Sequence, residues 1–184
     1  MSKIVLYPNE VLRKEVTDVV KIDAVTKKEI KQLVWELEKG ENAAGLAAPQ
    51  IGVSKSFFGI KKGDGKVEVY FNPKILKVWG GRVYPKLVGE NGKDEDFLEG
   101  CLSFPDFFGT VKRYLKIEVM WVELKGEKFI SKRRELSGFE AIVWQHESDH
   151  LLGKLFVDYI KKEGGKFYKQ VGNEMIEADI KIFS

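Results

Sequence analysis

Both histidines of the chain stand four residues apart in Gln145-His146-Glu147-Ser148-Asp149-His150, and its only cysteine lies upstream in Glu99-Gly100-Cys101-Leu102-Ser103. On an α-helix, positions i and i+4 lie above one another roughly 5 to 6 Å apart, so two imidazoles can reach one ion while the intervening glutamate projects beside it. No other feature constrains the fold as much. The helix must turn its histidines inward, and a distant loop must fold back onto it to deliver a thiolate.

The helix is predicted to start at Ser137, with Glu140 three residues on as a capping box, and to end at Gly153. Phe139, Ile142, Val143, His146 and His150 share one face, which is expected to look inward. A rigid core helix holds ligands within the tolerance a metal needs.

An ion held by one thiolate and two imidazoles keeps a fourth position open, where catalytic water sits with its pKa lowered from about 15.7 toward about 7. Glu147 is then the natural proton shuttle, a base toward water and an acid toward a departing amine. A lone helical His or a single buried Cys is usually plain core. The i, i+4 spacing with Glu after the first His is what separates this pair from that reading. Two other metal readings share the helix: a zinc endopeptidase, and a non-catalytic metal-stabilised domain. Cys101 argues against the first, whose third ligand is generally His, Glu or Asp. Against the second, the chain has no Cys or His left to close a fourth position, which leaves only a carboxylate to do so.

With 184 residues, no repeat and no linker-like tract, residues 1–184 are expected to form one domain. Apolar residues at 43% and charged residues at 32% fit a soluble globular chain. Apolar runs fall far short of the roughly 20 residues a bilayer demands, so no membrane is expected. The N-terminus reaches Glu10 before any apolar stretch of signal-peptide length, and a single Cys forms no intramolecular disulfide, so the cytoplasm is the expected location. The 31 Lys and Arg are interleaved with 28 Asp and Glu, and neither Lys132-Arg133-Arg134 nor Lys161-Lys162 is mixed with stacking aromatics. No nucleic-acid groove follows from that.

Elsewhere, Thr26 with Glu29 fits a capping box for a first helix, with Ile30, Leu33, Val34 and Leu37 at helical spacing and Gly40 as a left-handed C-terminal glycine. A loop from Glu41 to Gln50 follows. Phe57–Ile60 and Val67–Phe71 flank the turn Gly63-Asp64-Gly65 as a hairpin, and Leu115–Leu124 alternates before turning at Lys125-Gly126 toward Lys128-Phe129-Ile130. Antiparallel sheet is predicted. The segment Gly80–Leu98 reads as a long loop or extra hairpin, and Met175–Ile182 as a short helix or a terminal strand.

Taken in order, Gly45-Leu46-Ala47-Ala48-Pro49-Gln50, Glu99-Gly100-Cys101-Leu102-Ser103 and Gln145-His146-Glu147-Ser148-Asp149-His150-Leu151-Leu152-Gly153 closely resemble the peptide deformylases. Further likeness lies in Leu6-Tyr7-Pro8, Leu12-Arg13-Lys14, Phe71-Asn72-Pro73, Val111 with Arg113, and Lys154-Leu155-Phe156. The resemblance runs from about Ile4 to Tyr159, leaving 160–184 as a variable tail.

The resemblance implies an α+β fold of antiparallel sheets around a central metal-binding helix, with an N-terminal helix. It also implies hydrolysis of the formyl group from N-formylmethionyl nascent peptides, with release of formate. The cofactor would be one divalent ion, Fe2+ by preference, with Zn2+, Ni2+ or Co2+ able to replace it. By the same resemblance Cys101, His146 and His150 are the ligands and Glu147 the acid/base, while the Gln50 side chain and the Leu102 backbone N–H hold the developing oxyanion. Gly45, Leu46, Gly100, Ile142 and Val143 would bind substrate, Ile142 and Val143 as walls of an apolar pocket for the methionine. In some relatives a C-terminal helix contacts the ribosome, an idea that Lys161, Lys162, Lys166 and Lys169 extend to this tail.

The chain departs from the family pattern in one place. The glycine loop usually begins Gly-x-Gly, and here it reads Ala43-Ala44-Gly45. If position 43 requires a positive φ, alanine strains it by about 1 kcal/mol or more. Altered loop geometry with retained activity is the expectation.

Overall fold

A computed structural model describes residues 4–40, 42–88, 92–125 and 128–183. Its helices are α1 (Ala24–Lys39), α2 (Gly138–Leu151) and α3 (Phe156–Glu163). Its strands are β1 (Gly45–Ala47), β2 (Phe57–Lys61), β3 (Val67–Trp79), β4 (Lys86–Val88), β5 (Asp94–Asp96), β6 (Glu99–Cys101), β7 (Phe104–Gly109), β8 (Lys116–Lys125), β9 (Lys128–Ser137), β10 (Phe167–Val171) and β11 (Glu174–Glu177). One sheet runs β1-β2-β3-β8-β9, a second β11-β10-β7-β6, and β4 pairs with β5 alone. Every pairing between these strands is antiparallel, so the class is α+β as the alternation predicted.

The β2–β3 hairpin forms around Gly63-Asp64-Gly65 as expected, and β8 pairs with β9 along its whole length. The predicted turn at Lys125-Gly126 lies partly outside the described residues. Asn72 takes a left-handed φ of 48°. Its side chain clamps the incoming chain at both backbone groups of Val19, accepting from N–H at 2.8 Å and donating to C=O at 3.0 Å.

Helix α1 begins earlier than the sequence suggested. Asp23, not Thr26, is the cap, and its Oδ1 accepts from both the backbone N–H of Thr26 at 2.9 Å and its hydroxyl at 3.0 Å. A carboxylate beside the positive end of the helix dipole outcompetes the neutral hydroxyl. Gly40 is extended, at φ −69°, instead of left-handed. Its glycine is needed for space, because a Cβ there would stand 2.8 Å from that of Ala43. The expected loop to Gln50 is itself structured, since it holds β1 and a 3-10 turn over Ala48–Ile51.

Helix α2 is buried on nearly every side: Ala141 through Glu147, His150 and Leu151 are all inside. Trp144 packs edge-on against Phe58, Tyr70 and Trp121 at 5.0, 4.6 and 5.8 Å, pinning the helix to the five-stranded sheet. Two expectations for its first turn fail. Phe139 is 51% exposed, and Ser137 occupies the cap position without a side-chain hydrogen bond. Glu140 does not close a box, because Lys62 and Arg134 engage it. Gly153 ends the turn at φ +66°, where a Cβ would strike the backbone of Arg13.

The Gly80–Leu98 segment contains the β4–β5 hairpin, with residues 89–91 outside the described set. The tail resolves its ambiguity by being both kinds of structure: strand β11, then a 3-10 turn over Ile180–Phe183. Among the described residues, no helix is long and apolar enough to cross a membrane.

Candidate active site

The cysteine reaches α2 because β6 and β7 form a tight hairpin. Gly100 stands opposite Phe108 and Cys101 opposite Phe104, with the register slipping between them. Such a bulge re-aims the residue that follows it. Gly100 is tolerated there for lack of a side chain, since a Cβ would meet the Phe108 ring at 2.7 Å.

Ligand atoms of Cys101, His146 and His150 lie within 4.8 Å of one another. Cys101 Sγ stands 3.3 Å from His150 Nε2. Behind His146, Nδ1 is 2.9 Å from Oε2 of Glu99. Burial alone would raise the Glu99 carboxyl, but the Arg113 guanidinium and His146 outweigh it and hold Glu99 down to about 2. An ionised carboxylate only accepts, so Nδ1 of His146 carries the proton and Nε2 is left free for the cluster.

Arg113 is itself buried and joins this network through three nitrogens. Nε and Nη2 donate to the two oxygens of Glu99 at 2.7 and 2.9 Å, and Nη1 donates to Asp149 at 2.6 Å. The other oxygen of Asp149 accepts from the Tyr159 hydroxyl at 2.8 Å. In the sequence Glu99, Arg113 and Asp149 stand within or beside motifs with nothing to mark a task for them. Ion pairs from a connecting segment to a strand and a helix leave no local pattern, and the acids inside the cysteine and histidine motifs are the only signal.

Gln50 is fixed in orientation. Its Oε1 accepts from the backbone N–H of Ala47 at 2.9 Å, and its Nε2 points to Cys101 Sγ and Ser103 Oγ, both at 3.3 Å. Glu147 is 3% exposed, and its Oε2 has no hydrogen-bond partner among the described residues. Burial pushes this carboxyl up to about 7. Gly45 faces it so closely that a Cβ would stand 2.5 Å from Glu147 Oε1.

These groups open onto a cleft of about 610 Å³ whose lining includes Gly45, Gln50, Gly100, Cys101, Leu102, Ile142, Val143, His146 and Glu147. Five phenylalanines, 97, 104, 107, 108 and 139, complete its walls, and sequence reading named none of them for that role. Phe97 comes from the end of the 80–98 segment and meets Phe139 edge-on at 5.8 Å. Two expected residues do not line the cleft with side chains. Leu46 packs with Leu33 and Leu37 against α1, because successive strand residues point to opposite faces, and His150 lies deeper than the lining. Ala43 takes no positive φ, so alanine in place of the usual glycine is unstrained.

The donor set fits a single metal ion. One thiol and two imidazoles converge, one ring is preset by a carboxylate, and an unpartnered carboxylate oxygen stands beside them. The ligand types alone suit several divalent metals.

A family model described as Polypeptide deformylase matches residues 1–166. Among curated proteins, the peptide deformylase of Thermotoga neapolitana is 37% identical over 161 residues, covering 88% of each chain. Peptide deformylase 1 of Vibrio vulnificus is 38% identical over 147 residues, covering 80% of this chain and 77% of its own. Among solved structures, the peptide deformylase of Thermotoga maritima superposes with a TM-score of 0.70 at 34% identity, covering 86% of this chain and 97% of that one. The peptide deformylase of Synechococcus elongatus, solved with actinonin, gives 0.67 at 28% identity, covering 88% and 85%.

Proposed function

Because the chain belongs to the polypeptide deformylase family, and is by that membership a hydrolase, we propose that it removes the formyl group from the N-terminal formylmethionine of newly made polypeptides. Residues 1–184 act as one domain, its sheets gathered around a central metal-binding helix, α2. Cys101, His146 and His150 would hold one divalent ion, ferrous iron by preference and zinc, nickel or cobalt as substitutes. A bound ion would supply Lewis acidity toward the formyl carbonyl and water.

Everything else falls to side chains and backbone of the chain. Glu147 takes the proton from the attacking water and returns it to the departing amine nitrogen. The Gln50 amide and the Leu102 backbone N–H donate to the oxygen on which charge develops. Gly45, Leu46 and Gly100 align the peptide through their backbones, while Ile142 and Val143 wall the methionine side chain. Glu99 holds His146, and Arg113 holds Glu99.

The observation that carries this reading is the convergence of three ligand atoms within 4.8 Å beside the unpartnered carboxylate oxygen of Glu147, at the floor of an aromatic cleft. Family membership tells against the endopeptidase and the non-catalytic alternatives. We place the enzyme in the cytoplasm, where formylated nascent chains arise. Ribosome contact by the tail draws little support from its lysines: Lys161 binds the Phe183 carbonyl, Lys166 pairs with Asp96, and Lys169 lies over the Phe107 ring.

The test is formate release from a short formyl-Met peptide by protein loaded anaerobically with ferrous iron. Release that chelation abolishes is the expected result. Folded, metal-loaded protein that releases no formate would falsify the proposal.

A further inference from the structure

The family match ends at Lys166, just before β10, yet the chain beyond it joins the sheet whose strand β7 lines the cleft. Strand β10 pairs with β7, setting Phe167 opposite Gly109, Tyr168 opposite Phe108 and Lys169 opposite Phe107. Strand β7 in turn pairs with β6, which carries Cys101. The β10–β11 ladder continues one residue past the strands, with the N–H of Ala178 donating to the carbonyl of Phe167 at 2.9 Å, and the chain ends its described course at Phe183.

Phe183 does not line the cleft; it stands against residues that do. Its ring meets Phe107 at 4.8 Å and Phe104 at 5.1 Å, both edge-on, and also meets Tyr7 and Phe167. Its carbonyl is held by the Tyr7 hydroxyl at 3.1 Å and by Lys161 Nζ at 2.8 Å. The wall between Phe104 and Phe107 departs from regular strand geometry. Asp106 there has φ +67°, outside the extended region that a strand maintains by itself.

We propose that Phe183 is a positioning residue for the substrate cleft: wedged against Phe104 and Phe107, it fixes the β7 wall along which the formylated peptide lies. The inference rests on the deformylase reading for its substrate. Phe183 itself lies beyond the family match, and its ring contacts are with residues outside the metal cluster. Their consequence is a binding effect, since Phe183 touches neither the ligands nor Glu147.

The experiment compares the intact, iron-loaded protein with Phe183→Ala, Phe183→Leu and, as a tail control, Met175→Ala on the exposed β11. Amide hydrogen exchange reads the wall, and steady-state kinetics on formyl-Met-Ala-Ser read its use. Phe183→Ala is expected to speed exchange across residues 104–109 while α2 stays protected, and to raise KM about three- to tenfold with kcat and bound iron little changed. Phe183→Leu recovers most of both, and Met175→Ala changes neither. Unchanged exchange at 104–109 overturns the inference, as does faster exchange with an unchanged KM. A fall in kcat at constant KM, in step with loss of folded protein, also overturns it by reducing Phe183 to a structural role. Absence of formate from the unmodified protein counts against the deformylase reading instead, and the exchange data still decide whether Phe183 braces the wall.

Discussion

Nδ1 of His146 stands 2.9 Å from Oε2 of Glu99, the same oxygen that accepts Nη2 of Arg113 at 2.9 Å. The imidazole is thereby oriented by a carboxylate that is itself locked by a guanidinium, all three side chains being buried. Glu99→Gln keeps the shape but loses the charge that fixes the His146 tautomer. Metal affinity should fall about 10- to 100-fold, measured by chelator competition, with the fold retained. An unchanged affinity would remove Glu99 from the centre.

Arg113 neutralises two acids at once. Arg113→Met leaves Glu99 and Asp149 without their partner and should cost about 3–5 kcal/mol in urea unfolding. Arg113→Lys should recover little, because an ammonium cannot reproduce the forked contact to Glu99 while also reaching Asp149. Full recovery by lysine would show that charge alone suffices there.

Glu147→Gln should retain the ion and lose about 10²- to 10⁴-fold in kcat, as expected for removal of a proton shuttle. Metal content and turnover, measured on the same preparation, check this together. Preserved turnover takes Glu147 out of the mechanism.

At Gly45 the expectation concerns space. A methyl group at this position would enter the volume of the Glu147 carboxylate, so Gly45→Ala should displace that group and reduce kcat/KM by about 10- to 100-fold with little change in melting temperature. Wild-type kinetics in this variant would mean that the loop yields without cost.

The 80–98 segment is tied down by Asp96, which accepts from Lys86 at 2.6 Å and from Lys166 at 2.7 Å. Lys166, with Lys86, pulls the Asp96 carboxyl down to about 2, below its ordinary 3.8. The tie is therefore whole above about pH 3.8 and is lost as the pH falls through about 2. Asp96→Asn should speed limited proteolysis within 86–96 at neutral pH without moving the global unfolding midpoint. Equal cleavage rates in the two proteins would refute the tie.

What the sequence displayed was chemistry with a period or a motif. The i, i+4 histidines placed α2 and its contents, and strand alternation placed β2, β3, β8 and β9. Two kinds of information escaped it. Caps were misread where a charged competitor stood nearby, as Asp23 did for Thr26, or where a distant cation claimed the partner, as Lys62 did for Glu140. The aromatic walls were unreadable because Phe97, Phe104 and Phe139 come from separate elements, and nothing local distinguishes a phenylalanine facing a cleft from one in the core.

The sheet that carries Cys101 also bears on the order of synthesis. A chain is made from its N-terminus, so the cysteine and both histidines leave the ribosome before β10 and β11, the strands that extend the cysteine's own sheet. Until those strands arrive, β7 has an open edge beside the nascent site. The cysteine and both histidines are therefore made before the strands that complete the sheet behind Cys101.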